Sequence, residues 1–152
     1  MNELHFHNNK GIFVLVLLMS CGKTKDYTEE NEQEILTYLA DNNLTAQKSS
    51  TSLYYIIDNV GAGERPSASD NVTVAYKGYF TNGNTFDESS ASGISFNLQQ
   101  VIAGWTEGIT YFKEGGNGVL LIPSRLAYGD SGQGNIPAGA VLIFDVTLIS
   151  VN

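Results

Sequence analysis

Between Ser52 and Asn152 a single stretch, Gln99–Phe112, spaces its apolar residues as a helix does, with Val101, Trp105, Ile109 and Phe112 along one stripe. Around it the pattern is that of strands. Leu53–Ile57 is a β-rich run, and Asn71–Phe80 is a longer one with Val72, Val74 and Tyr76 on one face at period two. Thr81-Asn82-Gly83-Asn84 then contains an Asn-Gly pair, a strong hairpin signal. Thr85–Ser90 and Ile94–Leu98 resume the alternation, Glu114–Asn117 turns the chain, and Gly118–Ile122 and Ala140–Ile149 are strands joined by the long loop Pro123–Gly139. One helix among so many strands leaves little choice of architecture: α+β, an antiparallel sheet with a short helix packed on it. The 16 glycines suit its many turns.

The first 50 residues read differently. Gly11–Met19 is an apolar run preceded by Lys10. It is too short to cross about 30 Å of hydrocarbon, but it has the length of a secretory h-region. Leu18-Met19-Ser20-Cys21 resembles a bacterial lipobox. That resemblance makes residues 1–20 a lipoprotein signal peptide and Cys21 the lipidated first residue, a membrane anchor facing the cell envelope. A short signal anchor, or a plain signal peptide with an incidental cysteine, is the alternative. Residues 21–50 read as a tether, Gly22–Tyr27, and an acidic helix, Thr28–Asp41, followed by a polar connection. Thr28 is the expected N-cap; Glu29, Glu30 and Glu32 suit the positive end of the helix dipole. Ile35, Leu36 and Leu39 form the apolar stripe, and the acidic side is a solvated face rather than a calcium loop. Residues 51–152 are left as the folded domain.

Composition removes several chemistries. The only histidines are His5 and His7 and the only cysteine is Cys21. The folded domain therefore has no Ser–His or Cys–His nucleophile, no His- or Cys-ligated zinc and no internal disulfide. No cofactor and no metal are expected. A net charge of −8 without a Lys/Arg block argues against nucleic-acid partners. What remains is shape, apolar surface, hydroxyls, amides and carboxylates.

Seven ordered blocks then carry a family resemblance. Val-Ala-Tyr76-Lys-Gly, Thr-Phe86-Asp87-Glu-Ser-Ser, Phe96-Asn-Leu98, Val101-Ile102-Ala-Gly104-Trp105-Thr-Glu-Gly108, Ile122-Pro-Ser-Arg-Leu-Ala-Tyr128-Gly129, Ile136-Pro137 and Leu142-Ile-Phe144-Asp-Val146 follow one another. Over about residues 52–150 the chain resembles FKBP-type peptidyl-prolyl isomerases, and with its N-terminus it resembles their envelope lipoproteins. The resemblance implies a half-open antiparallel sheet wrapped around one short helix, preceded here by an N-terminal helix. It implies a pocket in which Tyr76, Phe86, Asp87, Trp105, Tyr128 and Phe144 are catalytic and Phe96, Val101, Ile102 and Ile136 bind substrate, with Trp105 as the floor. By the same likeness the Ile102 amide and the Tyr128 hydroxyl donate to ligand carbonyls, and the Asp87 carboxylate accepts. The implied partners are proline-containing polypeptides of exported proteins and macrolide inhibitors. Ile94, where many relatives are aromatic, the short Ile94–Val101 segment, and the polar Asn135 bear on substrate preference and macrolide affinity.

Read singly, Trp105, Phe96 and Phe144 are ordinary core residues, Tyr76 and Tyr128 are packing, and Asp87 is a turn cap. Gly104, Gly108 and Gly129 read as structural. Two further functions fit the same residues: a chaperone or scaffold that binds in the pocket without turnover, and a structural lipoprotein docking through its acidic helix.

Overall fold

The computed structural model describes residues 24–152. The expected signal peptide and the expected lipidation at Cys21 fall outside those residues. The described chain runs α1 (Thr28–Asp41), β1 (Gln47–Lys48), β2 (Tyr54–Asn59), β3 (Asn71–Tyr79), β4 (Thr85–Glu88), β5 (Ile94–Asn97), α2 (Ala103–Gly108), β6 (Asn117–Ile122) and β7 (Leu142–Val151). The strands form one antiparallel sheet in the order β1-β2-β6-β7-β3-β4. β5 also pairs with β3, at the Asn71–Val74 end, whereas β4 takes the Lys77–Tyr79 end. The expected α+β architecture, an open sheet around a short helix with a further helix before it, is present.

Period-two alternation sorts the side chains onto two faces. Val72 and Val74 of β3, Leu120 and Ile122 of β6, and Leu142, Val146 and Leu148 of β7 point inward and pack with Trp105, Ile109 and Phe112. Leu121 and Ile143 point the other way and meet Ile35 and Leu39 of α1. The sheet is thus covered on both faces at its β6–β7 centre, which is why Leu120-Leu121-Ile122 and Val141–Phe144 are unbroken buried runs.

The central helix is shorter than the apolar spacing predicts. Only Ala103–Gly108 is α-helical, flanked by 3₁₀ turns at Leu98–Gln100 and Ile109–Tyr111. Val101 is extended, at φ −120° and ψ 176°, and so lies outside the helix. Two glycines weaken the helix but let it lie close to the sheet. A Cβ at Gly104 would sit 2.5 Å from Ile122 Cγ2, and one at Gly108 2.7 Å from Leu120 Cδ1. From outside, Arg65 Nη1 donates to the carbonyls of Thr110 and Tyr111 at 2.9 and 2.7 Å. Glu107 accepts from Thr51 Oγ1 at 2.5 Å and from the Tyr111 hydroxyl at 2.6 Å.

Three N-terminal expectations change. Thr28 is the first helical residue and not the cap; Tyr27 is the cap, and Asp26 Oδ1 accepts from Thr28 N at 2.9 Å. Leu36 leaves the apolar stripe and is 43% exposed, because the face that docks is centred on Ile35 and Leu39. The connection after α1 contains the two-residue strand β1, paired with β2.

Candidate active site

A cavity of about 780 Å³ opens between the inner face of the sheet and α2, within the size range of small-ligand sites. All ten pocket residues expected from the sequence line it: Tyr76, Phe86, Asp87, Phe96, Val101, Ile102, Trp105, Tyr128, Ile136 and Phe144. β3 contributes Tyr76, β4 contributes Phe86 and Asp87, β5 contributes Phe96, and β7 contributes Phe144. Tyr128 and Ile136 come from the loop between β6 and β7. Ile94 and Asn135 line it too, as do Gln100, Gln133 and Gly134, which carried no signal in the sequence.

The floor is an aromatic cluster centred on Trp105. Its indole meets Tyr76 edge-on at 5.0 Å and 86°, Phe144 at 5.1 Å and 82°, and Phe96 at 5.3 Å and 48°. Phe86 stands edge-on to Phe144 at 5.5 Å and 87°. Edge-to-face geometry of this kind is favoured by the ring quadrupoles and adds about 0.5–1.5 kcal/mol per pair. The two central rings, Trp105 and Phe144, are each only 5% exposed, yet both border the open cavity beside Tyr128. Gly78 makes room for Phe86 and Phe144: a Cβ there would lie 2.7 Å from both rings.

The polar groups are few. The Tyr76 hydroxyl donates to Asp87 Oδ2 at 2.7 Å. Burial, reinforced by that hydrogen bond, pushes the Tyr76 hydroxyl up to about 12, so it is a neutral donor at physiological pH. Asp87 itself is exposed, at the rim. Ile102 is the N-cap residue of α2, with its carbonyl accepting from Trp105 N and Thr106 N at 2.9 and 3.2 Å. Amides at a helix start have no intrahelical acceptor and face outward as donors. Asn135 Nδ2 reaches the Phe86 carbonyl at 3.5 Å, a long contact across the cavity mouth. The Trp105 indole Nε1–H is buried without an acceptor among the described residues. Nothing in the sequence pointed to this unpaired donor. Among the described residues no cluster of three or more His, Cys, Asp or Glu side chains is arranged to hold a metal.

This geometry has counterparts in known proteins. The family described as FKBP-type peptidyl-prolyl cis-trans isomerase matches residues 62–149. An FKBP-type peptidyl-prolyl cis-trans isomerase FkpA of Aeromonas hydrophila is 43% identical over 126 residues, which is 80% of this chain and 47% of that protein. The chain thus spans about half the length of that relative. The crystal structure of FkpA from Escherichia coli superposes with a TM-score of 0.74 at 41% identity, over 82% of this chain and 60% of that one. A peptidyl-prolyl cis-trans isomerase of Pseudomonas syringae superposes with a TM-score of 0.71 at 30% identity, over 84% of this chain and 98% of that one. With the ordered sequence blocks, the open sheet around a short helix and the indole-floored cavity all agreeing, the chain belongs to the FKBP-type peptidyl-prolyl cis-trans isomerase family.

Proposed function

We propose that the chain is itself a peptidyl-prolyl cis/trans isomerase that acts on X–Pro bonds of exported proteins by non-covalent stabilisation of the twisted amide. The observation that carries this reading is the cavity floored by Trp105 and Phe144 and edged by the Tyr76–Asp87 pair. An X–Pro bond rotates slowly because amide resonance must be broken, with a barrier of about 20 kcal/mol. The planar amide is more polar than the twisted one, so a dry aromatic pocket favours the twisted form. Binding that is tighter in the transition state is then the whole mechanism. A thousandfold acceleration needs only about 4 kcal/mol, within reach of several aromatic contacts and one or two oriented donors. In this scheme Trp105, Phe96, Val101 and Ile136 receive the prolyl ring, Phe86 and Phe144 close the sides, and Ile102 N–H and the Tyr128 hydroxyl bind flanking carbonyls. Macrolides are the expected competitive ligands.

The test is refolding of a proline-limited substrate. Catalytic amounts of the full chain are expected to shorten its slow phase, and an unchanged slow phase at micromolar chain would overturn the assignment. Two further outcomes follow from the Tyr76–Asp87 pair. Asp87→Ala is expected to lower kcat/KM about tenfold, about 1.4 kcal/mol, with Asp87→Asn intermediate because it keeps an acceptor. Unfolding free energy should move by no more than about 0.5 kcal/mol, since the side chain is exposed. A variant within about twofold of wild type would remove Asp87 from the site. Because the raised Tyr76 hydroxyl stays protonated until pH approaches about 12, and the domain has no His or Cys, kcat/KM should be flat from about pH 6 to about pH 9. A bell-shaped profile in that window would require a titrating group that this scheme does not contain.

The proposal extends to the N-terminus: residues 1–20 are removed as a signal peptide, Cys21 carries lipid, residues 21–50 tether the domain, and residues 51–152 work at the cell envelope. No helix among the described residues is long and apolar enough to cross a membrane; the anchor in this reading is the lipid on Cys21. Radiolabelled palmitate should label the wild-type chain and not Cys21→Ala; label retained in the variant would dismiss the anchor.

A further inference from the structure

Asn31 is 2% exposed in a helix whose first turns also carry Glu29, Glu30, Glu32 and Glu34. Its amide makes three hydrogen bonds to the far end of the chain. Nδ2 donates to the Gly139 carbonyl at 2.8 Å, and Oδ1 accepts from Ser124 N at 2.8 Å and from Ser124 Oγ at 2.7 Å. Ser124 and Gly139 are the two stems of the β6–β7 loop, the loop that brings Tyr128 and Ile136 to the cavity. The stems are also joined through Gly129: Gly129 N donates to the Ser124 carbonyl at 2.8 Å, and Gly139 N donates to the Gly129 carbonyl at 2.9 Å. The result is a closed ring of hydrogen bonds, Asn31 to Ser124 to Gly129 to Gly139 and back, with Tyr128 next in sequence to one member. The Tyr27 ring seals it, since a Cβ on Gly139 would come 2.2 Å from Tyr27 Cε1.

We propose that Asn31 is a positioning residue for the isomerase site: α1 holds both stems of the β6–β7 loop and thereby sets where Tyr128 and Ile136 stand over the cavity. Asn31 lies outside residues 62–149, the part that matches the family, so the bracket is a contribution of the N-terminal segment to the pocket. The chemistry is specific to a carboxamide. One planar group donates from Nδ2 to Gly139 and accepts twice at Oδ1 from Ser124; an ionised carboxylate has no donor, an alkyl chain has neither, and a hydroxyl has only one atom with which to reach both stems. Buried and in a closed network, each bond left unmade exposes a buried partner to no replacement.

The inference rests on the isomerase reading, so its test pairs an activity measurement with one that is independent of activity. In the full chain, Asn31→Leu and Asn31→Asp are compared with wild type and with Leu36→Gln, an exposed substitution on the same helix. Backbone amide exchange in residues 124–139 is expected to speed up at least about tenfold in both Asn31 variants, while β3 and β7 keep their wild-type protection. In a protease-coupled proline-peptide assay KM should rise about fivefold, with kcat changed by less than about twofold, and Leu36→Gln should match wild type in both readouts. A uniform rise in exchange across β3, β7 and the loop would mean that Asn31 supports stability alone and would overturn the proposal. Wild-type exchange in the loop would overturn it as well, as would accelerated loop exchange with unchanged KM. If wild type shows no isomerase activity, the functional reading fails, and the exchange arm still decides whether the bracket holds the loop.

Discussion

The Phe144→Ala variant is expected to lose about two orders of magnitude in kcat/KM toward a proline-containing peptide. Phe144 touches three of the other pocket aromatics, Trp105 at 5.1 Å, Phe86 at 5.5 Å and Tyr76 at 6.1 Å between ring centroids. Three such pairs at about 0.5–1.5 kcal/mol each total about 1.5–4.5 kcal/mol of support for the floor, and a hundredfold loss in rate corresponds to about 2.7 kcal/mol of lost transition-state stabilisation. The ring is also nearly buried, so the truncation destabilises the fold by about 3–5 kcal/mol. Activity must therefore be normalised to folded protein, with urea unfolding followed in parallel. Phe144→Leu, which keeps most of the volume but no ring face, separates the two effects: a smaller loss of stability than Phe144→Ala, with a rate still reduced about tenfold or more. If Phe144→Leu isomerises like wild type, the aromatic character of the floor is irrelevant to the chemistry.

Gly104→Val should disrupt the fold by overpacking rather than by a cavity. The added Cβ would fall 2.5 Å from Ile122 Cγ2, and Ile122 is fully buried between α2 and the sheet. Neither partner has solvent to move into, and overpacking of this kind costs about 3 kcal/mol or more at a site that cannot relax. The consequence reaches function because Trp105 is the next residue. Pushing α2 off β6 lifts the indole away from Phe144 and Phe96, so kcat/KM falls together with stability. Urea unfolding and the peptide assay on the same preparation check this; a loss under about 1 kcal/mol with full activity would show that α2 tolerates displacement.

Much of the pocket was legible in the sequence because its residues occur in ordered blocks. Tyr76, Phe86, Asp87, Trp105 and Phe144 look like core residues one at a time, and only their sequence of spacings marks them as a set. The structure brings that set to one cavity. The strands were legible for a more elementary reason, since Val72, Val74 and Tyr76 alternate as half-buried strands must. The helix was legible in place but not in extent. Val101 and Phe112 fit the periodicity of Trp105 and Ile109, yet two glycines and close contact with β6 shortened the α-helical part to six residues.

What could not be read depended on distant partners. Asn31 sits in an acidic run that looks wholly solvated, and its partners lie 93 and 108 residues away. Gln100, Gln133 and Gly134 line the cavity only because of the path of two loops. Apolar runs such as Leu120-Leu121-Ile122 imply a strand covered on both faces, and the cover on the outer face is α1. The acidic helix is thus packed against the sheet through Ile35 and Leu39; Glu29 and Glu30 remain exposed, while the half-buried Glu32 and Glu34 accept from Tyr54 and Thr81.

In the proposed mechanism a cavity without nucleophile or proton shuttle speeds rotation about a prolyl amide. Exchange NMR on an Ala-Pro peptide, with the full chain at substoichiometric concentration in H₂O and in D₂O, tests it directly. Cis and trans signals that interconvert over about tens of seconds without protein should interconvert within about a second or less in its presence, with the same catalysed rate in both solvents. Exchange left at its uncatalysed rate, or a catalysed rate several-fold slower in D₂O, would contradict the claim.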